Sequence, residues 1–113
     1  MRVLNSLAIL LSLTFGVPLA LAADASVTIS SPAENAKVSH TSKVDVSYEV
    51  APGMSGDHVH LYVDEMEAVV LRKLKGVHTL DPLTTGKHTI CIKIVNKGHT
   101  PIGTQACTHV NAV

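Results

Sequence analysis

The chain has no tryptophan, and its only aromatic residues are Phe15, Tyr48 and Tyr62. A sandwich module that binds sugars normally stacks the rings on exposed aromatics, and that platform is missing. No excess of one charge is present either, because nine Lys and Arg face nine Asp and Glu. Without a basic stripe to track phosphates, nucleic-acid binding is excluded as a main role. There is no nucleophile motif, no phosphate-cradling glycine loop and no metalloprotease helix, so the chain is expected not to be an enzyme. Helical periodicity is nearly absent. Beyond residue 21 no run approaches the roughly 20 apolar residues that cross a bilayer.

The beginning of the chain reads as a leader. Met1-Arg2 is a short positive start, residues 3–21 are mostly apolar, and Ala20-Leu21-Ala22 places small residues at −3 and −1 of a cleavage site. The clean apolar core, 7–15, is too short to span, so a cleaved secretory signal over 1–22 is expected, followed by one small domain over 23–113. That route leads to the periplasm or the medium. In such an oxidising compartment the two cysteines, Cys91 and Cys107, are expected to form one disulfide.

What the remaining chain does have is period-two alternation broken by Pro, Gly and Asn signals. Strands are expected at 26–30, 43–50, 58–64, 68–74, 77–80, 87–95 and 104–111. Residues 33–37 read as a turn, and 65–75 is the ambiguous stretch, helical by propensity but rich in Val. In 43–50, Val44, Val46, Tyr48 and Val50 alternate with Lys43, Asp45, Ser47 and Glu49. Seven short strands at this spacing predict an all-β, immunoglobulin-like or fibronectin-III-like sandwich. If Cys91 lies opposite Cys107, Thr89 pairs with His109 and Lys93 with Gln105. The bridge then sits on the face opposite Ile90, Ile92 and Ile94.

The chain is rich in histidine: His40, His58, His60, His78, His88, His99 and His109. Imidazole is the commonest metal ligand in proteins and suits zinc and copper. Residues i and i+2 of a strand share a face, so His58 and His60 point the same way and can share one ion. A third ligand must come from a neighbouring strand or loop. His99, in the last hairpin loop, is the candidate, with Met54 or Asp57 as optional donors; Met favours Cu(I) and carboxylate favours zinc. The plainer reading makes His58 and His60 polar residues on a solvated strand face. His88 shares parity with Ile90 and is expected to point inward and hydrogen-bond backbone at a sandwich corner. His78 is a candidate partner for it. His40, beside Thr41 and Ser42, reads as exposed.

The stretches "ISSPAENAKV", "GDHVHLYVD", "GVHTLDPLTTGKHTICIKI" and "NKGHTPIG" together resemble a group of small periplasmic bacterial Ig-like domains of uncharacterised function. Those domains carry a Gly-His-x-His-Leu strand start, a Pro-Gly-Lys-His-Thr-Leu segment and a His in the last hairpin loop. His58, His60, His88 and His99 stand at the matching positions. Asp57 interrupts the Gly-His contact, Thr85 replaces the Pro before Gly86, and the cysteine pair lies outside the pattern. The resemblance implies a periplasmic Ig-like fold and no established activity. Two roles follow as expectations: a metal-binding domain taking copper or zinc, or a structural or protein-interaction module without metal.

Overall fold

The computed structural model describes residues 24–113; the expected leader, 1–22, lies outside them. Eight strands run in order: β1 (Ser26–Ser31), β2 (Ala36–Val38), β3 (Val44–Ala51), β4 (His58–Val63), β5 (Met66–Leu71), β6 (Lys75–Leu80), β7 (Gly86–Val95) and β8 (Pro101–Ala112). They form two sheets, β1-β3-β6 and β2-β8-β7-β4-β5, with no helix among the described residues. This is the expected β-sandwich, with eight strands rather than seven.

Alternation in the sequence becomes the two facing layers. From one sheet β3 contributes Val44, Val46, Tyr48 and Val50; from the other come Val59 and Leu61 of β4 and Ile90, Ile92 and Ile94 of β7, all buried. Each such aliphatic side chain contributes about 1.5–3 kcal/mol on leaving water. Tyr48 is the one aromatic in this layer, and its hydroxyl donates to the Lys73 carbonyl at 2.9 Å, so its polar end is not stranded. The β7–β8 register pairs Cys91 with Cys107, Thr89 with His109 and Lys93 with Gln105, the set expected if the two cysteines lie opposite each other. Cys91 and Cys107 form the disulfide.

Two expectations about the elements are corrected. The supposed turn at 33–37 contains β2, which pairs parallel with the end of β8 through Ala36–Val110 and Val38–Ala112. Three residues carry too little alternation to signal a strand, and their pairing partner is distant in sequence. The strand expected at 68–74 begins and ends earlier, at Met66 and Leu71. A two-residue turn explains the shift. Asp64 and Glu65 both take positive φ, 52° and 69°, the geometry of the tight hairpin turn whose twist matches the flanking strands.

Candidate metal centre

β4 lies between β5 and β7 in its sheet, and its residues pair with both neighbours. Its even-numbered side chains, His58, His60 and Tyr62, face away from the core layer. A solvated face was the plain expectation, yet His58 is 1% and His60 4% exposed. The cover comes in part from the β7–β8 hairpin, which folds His99 against both rings. Ring centroids lie 4.6 Å apart for His58–His99 and 5.1 Å for His60–His99.

The hairpin holds His99 by its own backbone. Asn96 N–H donates to the Thr100 carbonyl at 2.9 Å, His99 N–H donates to the Asn96 carbonyl at 3.0 Å, and Thr100 N–H donates to Asn96 Oδ1 at 3.0 Å. His99 takes φ 66°, a left-handed conformation that usually falls to Gly or Asn. On the other side, Gly56 sets the approach to β4. A Cβ there would meet the Pro52 carbonyl oxygen at 2.2 Å and Ile94 Cγ2 at 2.6 Å, so only glycine fits. Asp57 follows, tied by its N–H to the Val95 carbonyl at 2.8 Å.

Three imidazole nitrogens converge. His58 Nε2 lies 3.2 Å from His60 Nε2 and 3.3 Å from His99 Nδ1, and His60 Nε2 lies 2.9 Å from His99 Nδ1. The far nitrogens of the two buried rings face carboxylates. His58 Nδ1 is 2.8 Å from Asp57 Oδ1, and His60 Nδ1 is 3.1 Å from Glu67 Oε1. An ionised carboxylate only accepts, so His58 Nδ1, hydrogen-bonded to Asp57, carries the proton. The nearby Glu67 favours the same tautomer for His60, and each Nε2 of a neutral ring in that tautomer presents a lone pair. Three nitrogens then share at most one proton, that of His99. Two lone pairs confront each other at 3.2 Å, which a cation between them relieves. Burial holds His60 below the ordinary histidine value; Glu67 opposes that, while His58, His99 and Arg72 add to it. A ring kept neutral is a ring ready to ligate.

These three histidines are a group able to hold a metal ion. A carboxylate behind a ligating ring, present here for two of the three, fixes the tautomer and orients the ring. Asp57, an optional ligand in the sequence reading, instead holds His58 from behind, with Arg72 Nη1 3.9 Å from the same oxygen. Glu67 was not anticipated. It reaches His60 because the β4–β5 ladder slips between Leu61 and Tyr62, pairing Leu61 with Val69 but Tyr62 with Glu67. An unbroken ladder would place Ala68 opposite Tyr62 and turn Glu67 to the core face. The bulge re-aims the carboxylate, and no single-strand pattern announces it.

The other candidates lie apart from this cluster. Met54 stands 87% exposed in the turn before β4. His88 points inward as expected: its Nε2 lies 2.6 Å from the Thr84 carbonyl oxygen and its Nδ1 2.5 Å from Asp64 Oδ2. With both nitrogens engaged, it has none for His78, which sits half-buried in the other sheet opposite Val46. His109 pairs with Glu34 at 2.7 Å, and His40 Nδ1 lies 2.8 Å from the Val113 carbonyl oxygen.

No protein-family model and no curated protein matches the chain. Solved structures do. The fibronectin(III)-like modules of Clostridium thermocellum CbhA superpose with TM-score 0.64 at 13% identity, over 76% of this chain and 94% of theirs. An engineered protein superposes with TM-score 0.56 at 20% identity, over 81% of this chain and 21% of its own. At such identities the likeness concerns the fold, which is fibronectin-III-like.

Proposed function

We propose that this protein is a small, non-catalytic periplasmic or secreted domain that binds one transition-metal ion, copper or zinc, through His58, His60 and His99. One observation carries the reading: three imidazole nitrogens lie 2.9–3.3 Å apart, with the two buried rings backed by Asp57 and Glu67. A first-row ion bonded at about 2.0–2.1 Å to each of two imidazoles at tetrahedral angles separates their nitrogens by ~3.3 Å. The cluster is therefore already near ligand spacing before any ion arrives. Copper and zinc both suit imidazole, and no thiolate biases the choice, since both cysteines are in the disulfide. The disulfide and the fibronectin-III-like fold support an oxidising destination.

Thermal unfolding of the metal-stripped, oxidised protein tests this reading. Adding Zn(II) or Cu(II) is expected to raise the midpoint saturably, because only the folded state holds the site assembled. The His58→Ala/His60→Ala double variant is expected to lose that rise. An unchanged midpoint with either ion would leave the cluster as a structural packing of histidines.

A further inference from the structure

We infer that the ion held by His58, His60 and His99 keeps a fourth coordination position that no His, Cys, Asp or Glu of the described residues fills, and that this position takes a small monodentate anion from solution. The inference rests on the metal-binding reading above and adds what the site does with its ion.

Geometry excludes a flat three-coordinate ion. The three ligand nitrogens form a triangle with sides of 2.9, 3.2 and 3.3 Å. The circle through them has a radius of ~1.8 Å, shorter than the roughly 2.0–2.1 Å of a metal–imidazole bond. An ion bonded to all three must stand out of their plane by ~0.9 Å, as the apex of a pyramid. Its bonding directions on the far side of the apex are then unused.

Among the described residues no further His, Cys, Asp or Glu joins the group to take them up. The two nearby carboxylates are held behind the rings, Asp57 on His58 Nδ1 and Glu67 on His60 Nδ1. Access comes from the hairpin side: His99 and its neighbours Lys97, Gly98 and Thr100 are exposed, whereas His58 and His60 are buried. Three neutral imidazoles donate no negative charge to the ion directly, and Asp57 and Glu67 act only from behind the rings, so the open position is free for a small anion.

Azide is the probe. The purified, disulfide-intact protein is loaded with one equivalent of Cu(II), freed of unbound metal and titrated with azide, with the His58→Ala/His60→Ala variant in parallel. A new azide-to-copper charge-transfer absorption, saturating at one azide per copper and missing from the variant, is the expected result. Copper retained through His58 and His60 without an azide band overturns the open position and leaves metal binding intact. If copper instead drives dimerisation and blocks azide, a second copy supplies the fourth donor, which also overturns it. An equal azide band in the variant means that copper and azide bind elsewhere and overturns the proposal, and failure of the wild type to retain copper removes both readings.

Discussion

His99 is the ligand with the least comfortable backbone. At φ 66° its Cβ crowds the following carbonyl, at a cost of roughly 1–2 kcal/mol compared with an ordinary conformation. Glycine has no such cost. His99→Gly is therefore expected to lose metal-dependent stabilisation while changing metal-free stability by no more than about 1 kcal/mol, because relief of the backbone offsets the lost ring contacts, read by thermal unfolding with and without Zn(II). A large loss of metal-free stability would mean that the ring packs the hairpin rather than serving an ion. Glu67 offers a complementary substitution. Its carboxylate lies 48% exposed, so removing its charge does little to the fold. Glu67→Gln is expected to weaken Zn(II) binding by about 10–100-fold in calorimetric titration, the usual consequence of removing such a partner. Equal affinity in the two proteins would show that the carboxylate does not orient His60.

At the scale of elements, the site is the product of a turn, a bulge and a hairpin. The Asp64-Glu65 turn is pinned to β7, since Asp64 Oδ1 accepts from Thr89 N–H at 2.9 Å and Oδ2 meets His88 Nδ1. This latch has its own pH signature. Hydrogen bonds to Asp64 and then to the Thr84 carbonyl raise His88 above the ordinary 6.5, against the opposing effect of burial. Burial pushes Asp64 up, but the Thr89 N–H and His88 outweigh it and leave the carboxyl below the ordinary 3.8. The His88 contribution is complete below its unfolded value and fades as pH rises through its raised folded value; that of Asp64 is complete above 3.8 and fades in acid. Asp64→Asn tolerates the same left-handed backbone, so it isolates the charge. The stability gap between wild type and Asp64→Asn is expected to be larger at about pH 5.5 than at about pH 8. A gap independent of pH would contradict the latch. His88 was legible from its parity with Ile90, but Asp64 was not, because the turn that brings it to β7 depends on two positive φ values that Asp and Glu do not advertise as Gly would.

For the whole molecule, the sandwich was legible because burial alternates along the chain: β3 reads in and out from Val44 to Val50, and β7 does the same from Ile90 to Ile94. The β7–β8 register followed once the two cysteines were taken as opposite each other. His58 and His60 were legible as a pair sharing a face, and His99 as the histidine of the last hairpin. Their burial was not, because the outer face of a sheet is covered here by a loop some 40 residues away in sequence, and strand periodicity describes only the core side. Glu67 was hidden for the related reason that a bulge, not the alternation, decides its face. The whole arrangement thus points at one ion position on an otherwise ordinary fibronectin-III-like fold. X-ray absorption fine structure of the Zn(II)-loaded protein examines that position most directly. The predicted spectrum has three imidazole ligands and one further light atom, with no sulfur. One or two imidazoles, a sulfur shell, or no retained zinc would contradict a centre built from His58, His60 and His99.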